Sequence, residues 1–245
     1  MAKQPKTSKG KASKGKRIWR RIKRIILVLF LSSLIYIILC RWLMPPITIT
    51  QLESIIQGNG LKRDYVSWDE ISPNVKWAAM ASEDQLFPDH SGFDWDAIEK
   101  SLKSNPKKKN KIRGAGASTI SQQTAKNVFL WQGEGILRYV RKVPEVYFTK
   151  MTEWAWGKKR ILEVYLNVIE MGKGVFGIEA ASEQYFHKHA KDLTRTEAAM
   201  IIACLPNPKE YTVVPESHFV ERKTQWILRQ MANISDDKDI MDLTK

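Results

Sequence analysis

A mainly α-helical protein behind one transmembrane helix is predicted by three features of the sequence. Residues 25–40, IILVLFLSSLIYIILC, carry no charge. Beyond them, apolar residues recur at helical spacing in run after run, several of these opened by a capping residue. Alternating strand patterns are nearly absent, and no internal repeat is evident. The length of 245 residues allows one good-sized domain plus an appendage.

The charge is uneven. Residues 1–24 contain 11 Lys or Arg and no acid, whereas residues 45–245 contain 28 Lys or Arg against 26 Asp or Glu. The net +14 is therefore mostly a property of a basic tail, residues 1–24. It does not mark a nucleic-acid module, since against anionic lipid such a tail needs no nucleic acid. Extended through RWLM to Met44, the apolar segment has 20 residues, about 30 Å of helix and the thickness of a bilayer core. Arg41 at its end can snorkel to the headgroups. No small-residue cleavage pattern follows, and Ile37, Ile38 and Leu39 are too bulky for lipoprotein-type processing at Cys40. Residues 25–44 are thus expected to remain as a transmembrane signal anchor. The basic block before them sets the N-terminus in the cytoplasm and residues 45–245 outside. Only Cys204 remains in that exported part, so no internal disulfide is expected there.

The exported elements follow in order. Pro45-Pro46 ends the span, and residues 45–66 read as a membrane-proximal linker in which ITITQLESIIQ forms a short strand or helix. Ser72-Pro73 starts a helix, a capping hydroxyl with proline in the first turn, that leads to Glu83. Asp94 can cap WDAIEKSLK. The stretch KSNPKKKNKIRGAGA is polar, cationic and glycine-rich, and reads as a mobile loop. Ser118 is expected to cap STISQQTAKNVFL, where Thr119, Gln122, Gln123 and Lys126 share a face about 100° wide. More apolar-periodic runs follow. Gly172 can close a helix, and Thr194 with Glu197 forms a capping box. Residues 233–245 read as a flexible acidic tail.

Three polar clusters need one chemistry: Glu83-Asp84, the helix face ending at Lys126, and RKVPE at 141–145 with Glu145. Two separated glutamates suggest a saccharide enzyme, because transfer at an anomeric carbon needs a base or an acid beside it. Lys126, Arg138, Arg141 and the cations at 107–113 suit a phosphate-bearing leaving group. A membrane anchor adds a lipid-bound substrate, because tethering holds the site at that depth. A hydrolase would gain little from Lys126, and a non-catalytic cell-wall scaffold would not need Glu83 and Glu145. The histidines show no metal-ligand spacing.

The motifs resemble a known family. E-D-x-x-F-x-x-H-x-G-F-D runs from Glu83 to Asp94, GASTISQQTAKNVFL spans 116–130, and R-K-x-x-E spans 141–145. KKRILEVYLN at 158–167 and TEAAMIIACLPNP at 196–208 complete five signatures in order. By these the chain resembles glycosyltransferase family 51, the peptidoglycan glycosyltransferases. The chain ends some 37 residues after the last motif, as in the monofunctional biosynthetic peptidoglycan transglycosylases. The resemblance implies a lysozyme-like helical domain over residues 67–232 with a small membrane-proximal jaw. It also implies lipid II and a growing glycan chain as substrates, placement in a bacterial inner membrane, and a periplasmic catalytic domain. Membrane lipids and other cell-wall synthesis or division proteins are the further partners it suggests.

Carried over by position, Glu83 is the implied general base and Glu145 the second catalytic carboxylate, assisting at the leaving pyrophosphate with a divalent ion, Mg or Mn. Ser118, Gln123, Lys126, Arg138 and Arg141 fall where the family binds substrate, with Asp84, Gln122 and Asn127 in support. Two positions depart from the family pattern. Leu137 stands where many relatives have arginine, with Arg138 one later, and Pro144 lies inside R-K-x-x-E.

Overall fold

The computed structural model describes residues 11–103, 118–133 and 135–244. The first ten residues of the basic tail, most of the lysine-rich loop and the opening Gly116-Ala117 of the second signature lie outside them. The chain divides into two compact units, one ending at Trp42 and one spanning Leu43–Lys245.

The first unit is one helix, α1 (Lys11–Cys40). Its apolar side chains from Ile25 to Leu31 are exposed. Among the described residues, Gly15–Cys40 is the one helical stretch long and apolar enough to cross a membrane.

The second unit is mostly helical. Helix α2 (Ile49–Ile56) opens on Thr48, whose hydroxyl and Gln51 complete a capping box, so the proline-terminated linker becomes a helix. Strand β1 (Lys62–Arg63) and a 3-10 turn at Trp68–Glu70 lead to α3 (Pro73–Glu83), capped by Ser72 as expected. Then follow α4 (Trp95–Lys103), α5 (Ile120–Phe129), α6 (Ile136–Trp156) and α7 (Lys158–Val168). Strands β2 (Glu170–Gly172) and β3 (Val175–Phe176) precede α8 (Ile178–Phe186). The chain continues through α9 (Arg195–Ala203), α10 (His218–Asn233) and α11 (Lys238–Thr244).

Two helical packings make the core. Helix α3 lies against α9, α10 and α11, and α5 lies against α6 and α7. Ala78, Ala79 and Ala81 of α3 face a partner carrying Ala198, Ala199 and Ala203, all buried. Small side chains at such a contact let two backbones approach closely. Helix α7 contributes the bulk, with Ile161, Leu162, Val164, Tyr165 and Leu166 fully enclosed. Burying each such side chain stabilises the fold by about 1.5–3 kcal/mol.

The three strands form one small sheet in the order β1-β3-β2, with β1 parallel and β2 antiparallel to β3. At two or three residues each, they are too short to show an alternating pattern. Gly172 closes no helix: α7 ends at Val168 and Gly172 lies in β2. A Cβ there would fall 2.0 Å from the Tyr185 hydroxyl, which donates to Met171 O. The cap of α5 is Thr119, not Ser118. Its hydroxyl accepts the Gln122 N–H while Gln122 Oε1 accepts the Thr119 N–H. The expected flexible tail is also corrected. Residues 238–244 form α11, with Ile240 and Thr244 buried and Trp77 Nε1 donating to Thr244 Oγ1 at 3.1 Å.

Candidate active site

The two adjacent acids of the first signature part company at the end of α3. Asp84 turns inward and is buried. Its Oδ2 accepts the N–H of Ile120 at 2.9 Å, at the N-terminus of α5, where the helix presents unsatisfied donors and a partial positive charge. His90 Nε2 lies 3.0 Å from both Asp84 oxygens. Because His90 Nδ1 accepts the Gly92 N–H, the imidazole carries its proton on Nε2 and donates it to Asp84. Gly92 has φ +90°, and a Cβ on it would meet Thr149 Cγ2 at 2.9 Å. Its carbonyl accepts the Thr119 hydroxyl at 2.7 Å. With Phe87 fully buried, the Asp-x-x-Phe-x-x-His-x-Gly part of the signature is a clasp joining α3 to α5.

That clasp leaves Glu83 half-buried. Its Oε1 accepts the Ser82 hydroxyl at 3.0 Å, and its Oε2 accepts Gln123 Nε2 at 3.1 Å. The polar face of α5 divides by function. Gln122 and Thr119 cap the helix. Gln123 bridges Glu83 on one side and the Tyr165 hydroxyl on the other. Asn127 is buried; its Nδ2 donates to Gln123 O and its Oδ1 accepts Gln132 Nε2. Lys126 has no hydrogen-bond or ion-pair partner among the described residues. Burial lowers its ammonium to about 8, Arg141 and Lys142 push the same way, and Glu145 and Glu83 oppose them. Ser118, half-buried before the cap, likewise has no hydrogen-bond partner there.

Helix α6 runs through Pro144 without interruption, although proline has no N–H for the helix ladder. Glu145 is only 2% exposed and points inward. Arg141 Nε at 3.3 Å and Lys142 Nζ at 2.5 Å hold its two oxygens. Arg141 is itself buried and donates from Nη1 to the carbonyls of Trp131 and Gln132. It therefore clamps the turn between α5 and α6. Arg138 and Leu137 are exposed, so the structure does not bring Arg138 to Glu145.

A cleft of about 260 Å³ opens beside Gln123, Lys126 and Asn127, closed opposite by Glu170 and the Leu205–Lys209 segment. Burial raises the Glu170 carboxyl, although the Gly174 N–H and Lys209 oppose it. Leu205–Pro208 belongs to the fifth signature, but Glu170 and Lys209 carried no pattern that could have marked them. Lys223 was also missed. It is 4% exposed, its ammonium lies 3.9 Å from the Trp226 ring centre, and burial lowers its pKa while Glu83 raises it.

The divalent ion fits Glu145 poorly, since both carboxylate oxygens are held by cationic side chains and Lys126 adds positive charge nearby. Among the described residues, the group with metal-ligand geometry is Glu179, Glu183 and His189, whose donor atoms lie within 4.8 Å of one another. None of the residues selected from the sequence belongs to it.

A family model described as Transglycosylase matches residues 49–232. A biosynthetic peptidoglycan transglycosylase of Shewanella oneidensis is 42% identical over 225 residues, 90% of this chain and 94% of that one. Its namesake in Haemophilus influenzae is 43% identical over 226 residues, 89% of each chain. That of Escherichia coli is 55% identical over 168 residues, 69% of this chain and 67% of its own. With the family model covering well over half of its length, this chain belongs to the transglycosylase family.

Proposed function

We propose that this chain is a membrane-anchored peptidoglycan glycosyltransferase that polymerises lipid II into β-1,4 glycan strands and releases undecaprenyl pyrophosphate. One observation carries the reading. Along a single face of α5, Gln123 holds a carboxylate, Glu83, and one turn further Lys126 presents an ammonium that, among the described residues, has no hydrogen-bond or ion-pair partner. A base and an unpaired cation joined through one helix face suit a reaction that takes a proton at one end and leaves negative charge at the other.

In this reading Glu83 accepts the proton of the acceptor's 4-hydroxyl. That oxygen attacks the anomeric carbon of the donor, the bond to pyrophosphate breaks, and the configuration inverts from α to β. Lys126 meets the charge growing on the leaving pyrophosphate. Glu145 acts through Arg141 and Lys142, holding both cations in place. A glycoside-cleaving reading is disfavoured by the same contact: Arg141 and Lys142 occupy both oxygens of that carboxylate, which leaves it badly placed to flank a glycosidic bond.

The anchor reading rests on α1 and the basic residues before Ile25, which favour a cytoplasmic N-terminus and a periplasmic domain in the inner membrane. The jaw is best supplied by the start of α6, where Ile136, Leu137, Tyr139, Val140 and Val143 are all exposed. Incubating detergent-solubilised protein with lipid II, and analysing the product before and after lysozyme digestion, tests the function. A polymer that lysozyme degrades is expected. Unchanged lipid II, or cleavage of preformed glycan by this chain, would overturn it.

A further inference from the structure

Tyr165 lies on the buried face of α7 and is fully enclosed, yet its hydroxyl reaches Gln123, which lines the cleft. It donates to Gln123 Oε1 at 3.3 Å. The other end of the same amide, Nε2, donates to Glu83 Oε2 at 3.1 Å. An ionised carboxylate only accepts hydrogen bonds, so the amide must turn its NH2 toward Glu83 and its oxygen toward Tyr165. The phenol is a group that can receive that oxygen, and among the described residues the amide oxygen is its one hydrogen-bond partner. A phenylalanine would fill nearly the same volume but leave the amide oxygen without its buried donor, so the Gln123 side chain would be held at one end only and could swing away from Glu83.

We infer that Tyr165 is a positioning residue for the reaction: by holding the oxygen end of the Gln123 amide, it keeps the NH2 end on Glu83 and so fixes where that carboxylate stands. The inference rests on Glu83 being the base. The hydrogen-bonded order Tyr165 to Gln123 to Glu83 joins three signatures of the chain, on α7, α5 and α3, none of which explains the arrangement alone.

The groups that bear on Glu83 are few. The charged groups around it are Lys126 on α5, Lys223 on α10 and the neighbouring Asp84, with His90 bound to it. Burial pushes the Tyr165 phenol and the Cys204 thiol, just beyond α9, well up, so both stay neutral across the working range. Helix α11 meets α3 at Trp77, more than a turn before Glu83. Loss of the amide donor weakens the ionised form of Glu83 without altering the lysines.

The test uses the full chain in detergent, with lipid II polymerisation followed across pH and thermal unfolding recorded for each variant. In Tyr165→Phe the acid limb of kcat/KM should move up by about one pH unit, while the alkaline limb stays in place. Activity below the limb should then fall about tenfold. Gln123→Met breaks the same link from the other side and should move the limb equally, and the double variant no further; it also serves if Tyr165→Phe fails to fold. An unmoved acid limb in a folded variant, with Glu83→Gln inactive, overturns the relay alone. Undiminished polymerisation by Glu83→Gln overturns the base assignment and the relay with it.

Discussion

Asp84 Oδ2 accepts the backbone N–H of Ile120 at 2.9 Å, so the second acid of the first signature closes the helix that carries the second. The same carboxylate receives the His90 Nε2 proton. It satisfies two buried donors at once.

Asp84→Asn should therefore act on stability more than on chemistry. Both Asp84 oxygens lie 3.0 Å from His90 Nε2, so in either orientation an asparagine sets its NH2 against the His90 N–H. An unsatisfied buried donor costs about 1–3 kcal/mol, seen as a lower urea midpoint. Residual polymerisation should exceed that of any Glu83 variant. A variant of full stability but no activity would give Asp84 a chemical role.

Lys126 sets the alkaline side of the activity profile. Its ammonium titrates near 8 instead of the usual 10.5, chiefly through burial. Polymerisation should decline as pH rises through about 8. In Lys126→Arg, whose guanidinium stays charged, that decline should vanish even though the maximal rate drops. Stability runs the opposite way. Below about 8 both folded and unfolded chains carry the proton and the burial penalty is complete. Between about 8 and 10.5 the folded state sheds it first, so the protein gains stability as pH rises. A pH-independent urea midpoint across that window would remove this account.

Glu145→Gln separates position from chemistry. The substitution leaves Arg141 buried beside a neutral amide, and breaking one side of such a pair costs about 3–5 kcal/mol. Loss of activity should accompany a lower unfolding temperature, with lipid II affinity reduced because Arg141 and Lys142 lose their holder. Full stability without activity in the Glu145→Gln variant would instead point to direct participation of the carboxylate.

The last helix gives a test away from the cleft. Ile240 of α11 is completely buried, and Ile240→Ala should cost about 2–5 kcal/mol while kcat of the remaining folded protein stays unchanged. Thermal unfolding in parallel with polymerisation at low temperature reads both.

That helix also shows where sequence reasoning stops. DDKDIMDLTK has few large apolar residues among its acids, too few for a convincing helical stripe, and only the distant partner Trp77 makes sense of it. The elements that were legible are those whose caps and periodicity lie within a few residues: α3 from Ser72-Pro73, α9 from Thr194 and Glu197. The capping residue of α5 was misjudged by one position because Ser118 and Thr119 carry equivalent hydroxyls, and only Gln122 Oε1 reaching back to Thr119 N distinguishes them. At the site, Glu83, Gln123 and Lys126 stood out through their motifs; in the structure Gln123 and Lys126 line the cleft and Gln123 is hydrogen-bonded to Glu83. Arg138 was read from charge alone and lies exposed. Glu170, Lys209 and Lys223 stayed hidden because their meaning comes from burial near residues far away in sequence.

Glu83→Gln remains the sharpest test of the chemistry. The replacement is nearly isosteric and its amide oxygen can still accept from Gln123 Nε2, so the hydrogen bond at 3.1 Å need not be lost. What is lost is the ability to take the acceptor's proton. General-base assistance is worth roughly 10²–10⁴ in rate, and polymerisation should fall at least that far. Lipid II binding, measured by titration with a labelled analogue, should stay near the wild-type value, and so should the unfolding temperature, because Glu83 is only half-buried and Asp84 carries the clasp. Wild-type activity should rise with pH as the carboxylate ionises, and the residual activity of the variant should lack that limb. A variant that still polymerises at the full rate would make Glu83 the solvated end of a helix and send the search for the base to Glu170, whose carboxylate lines the cleft.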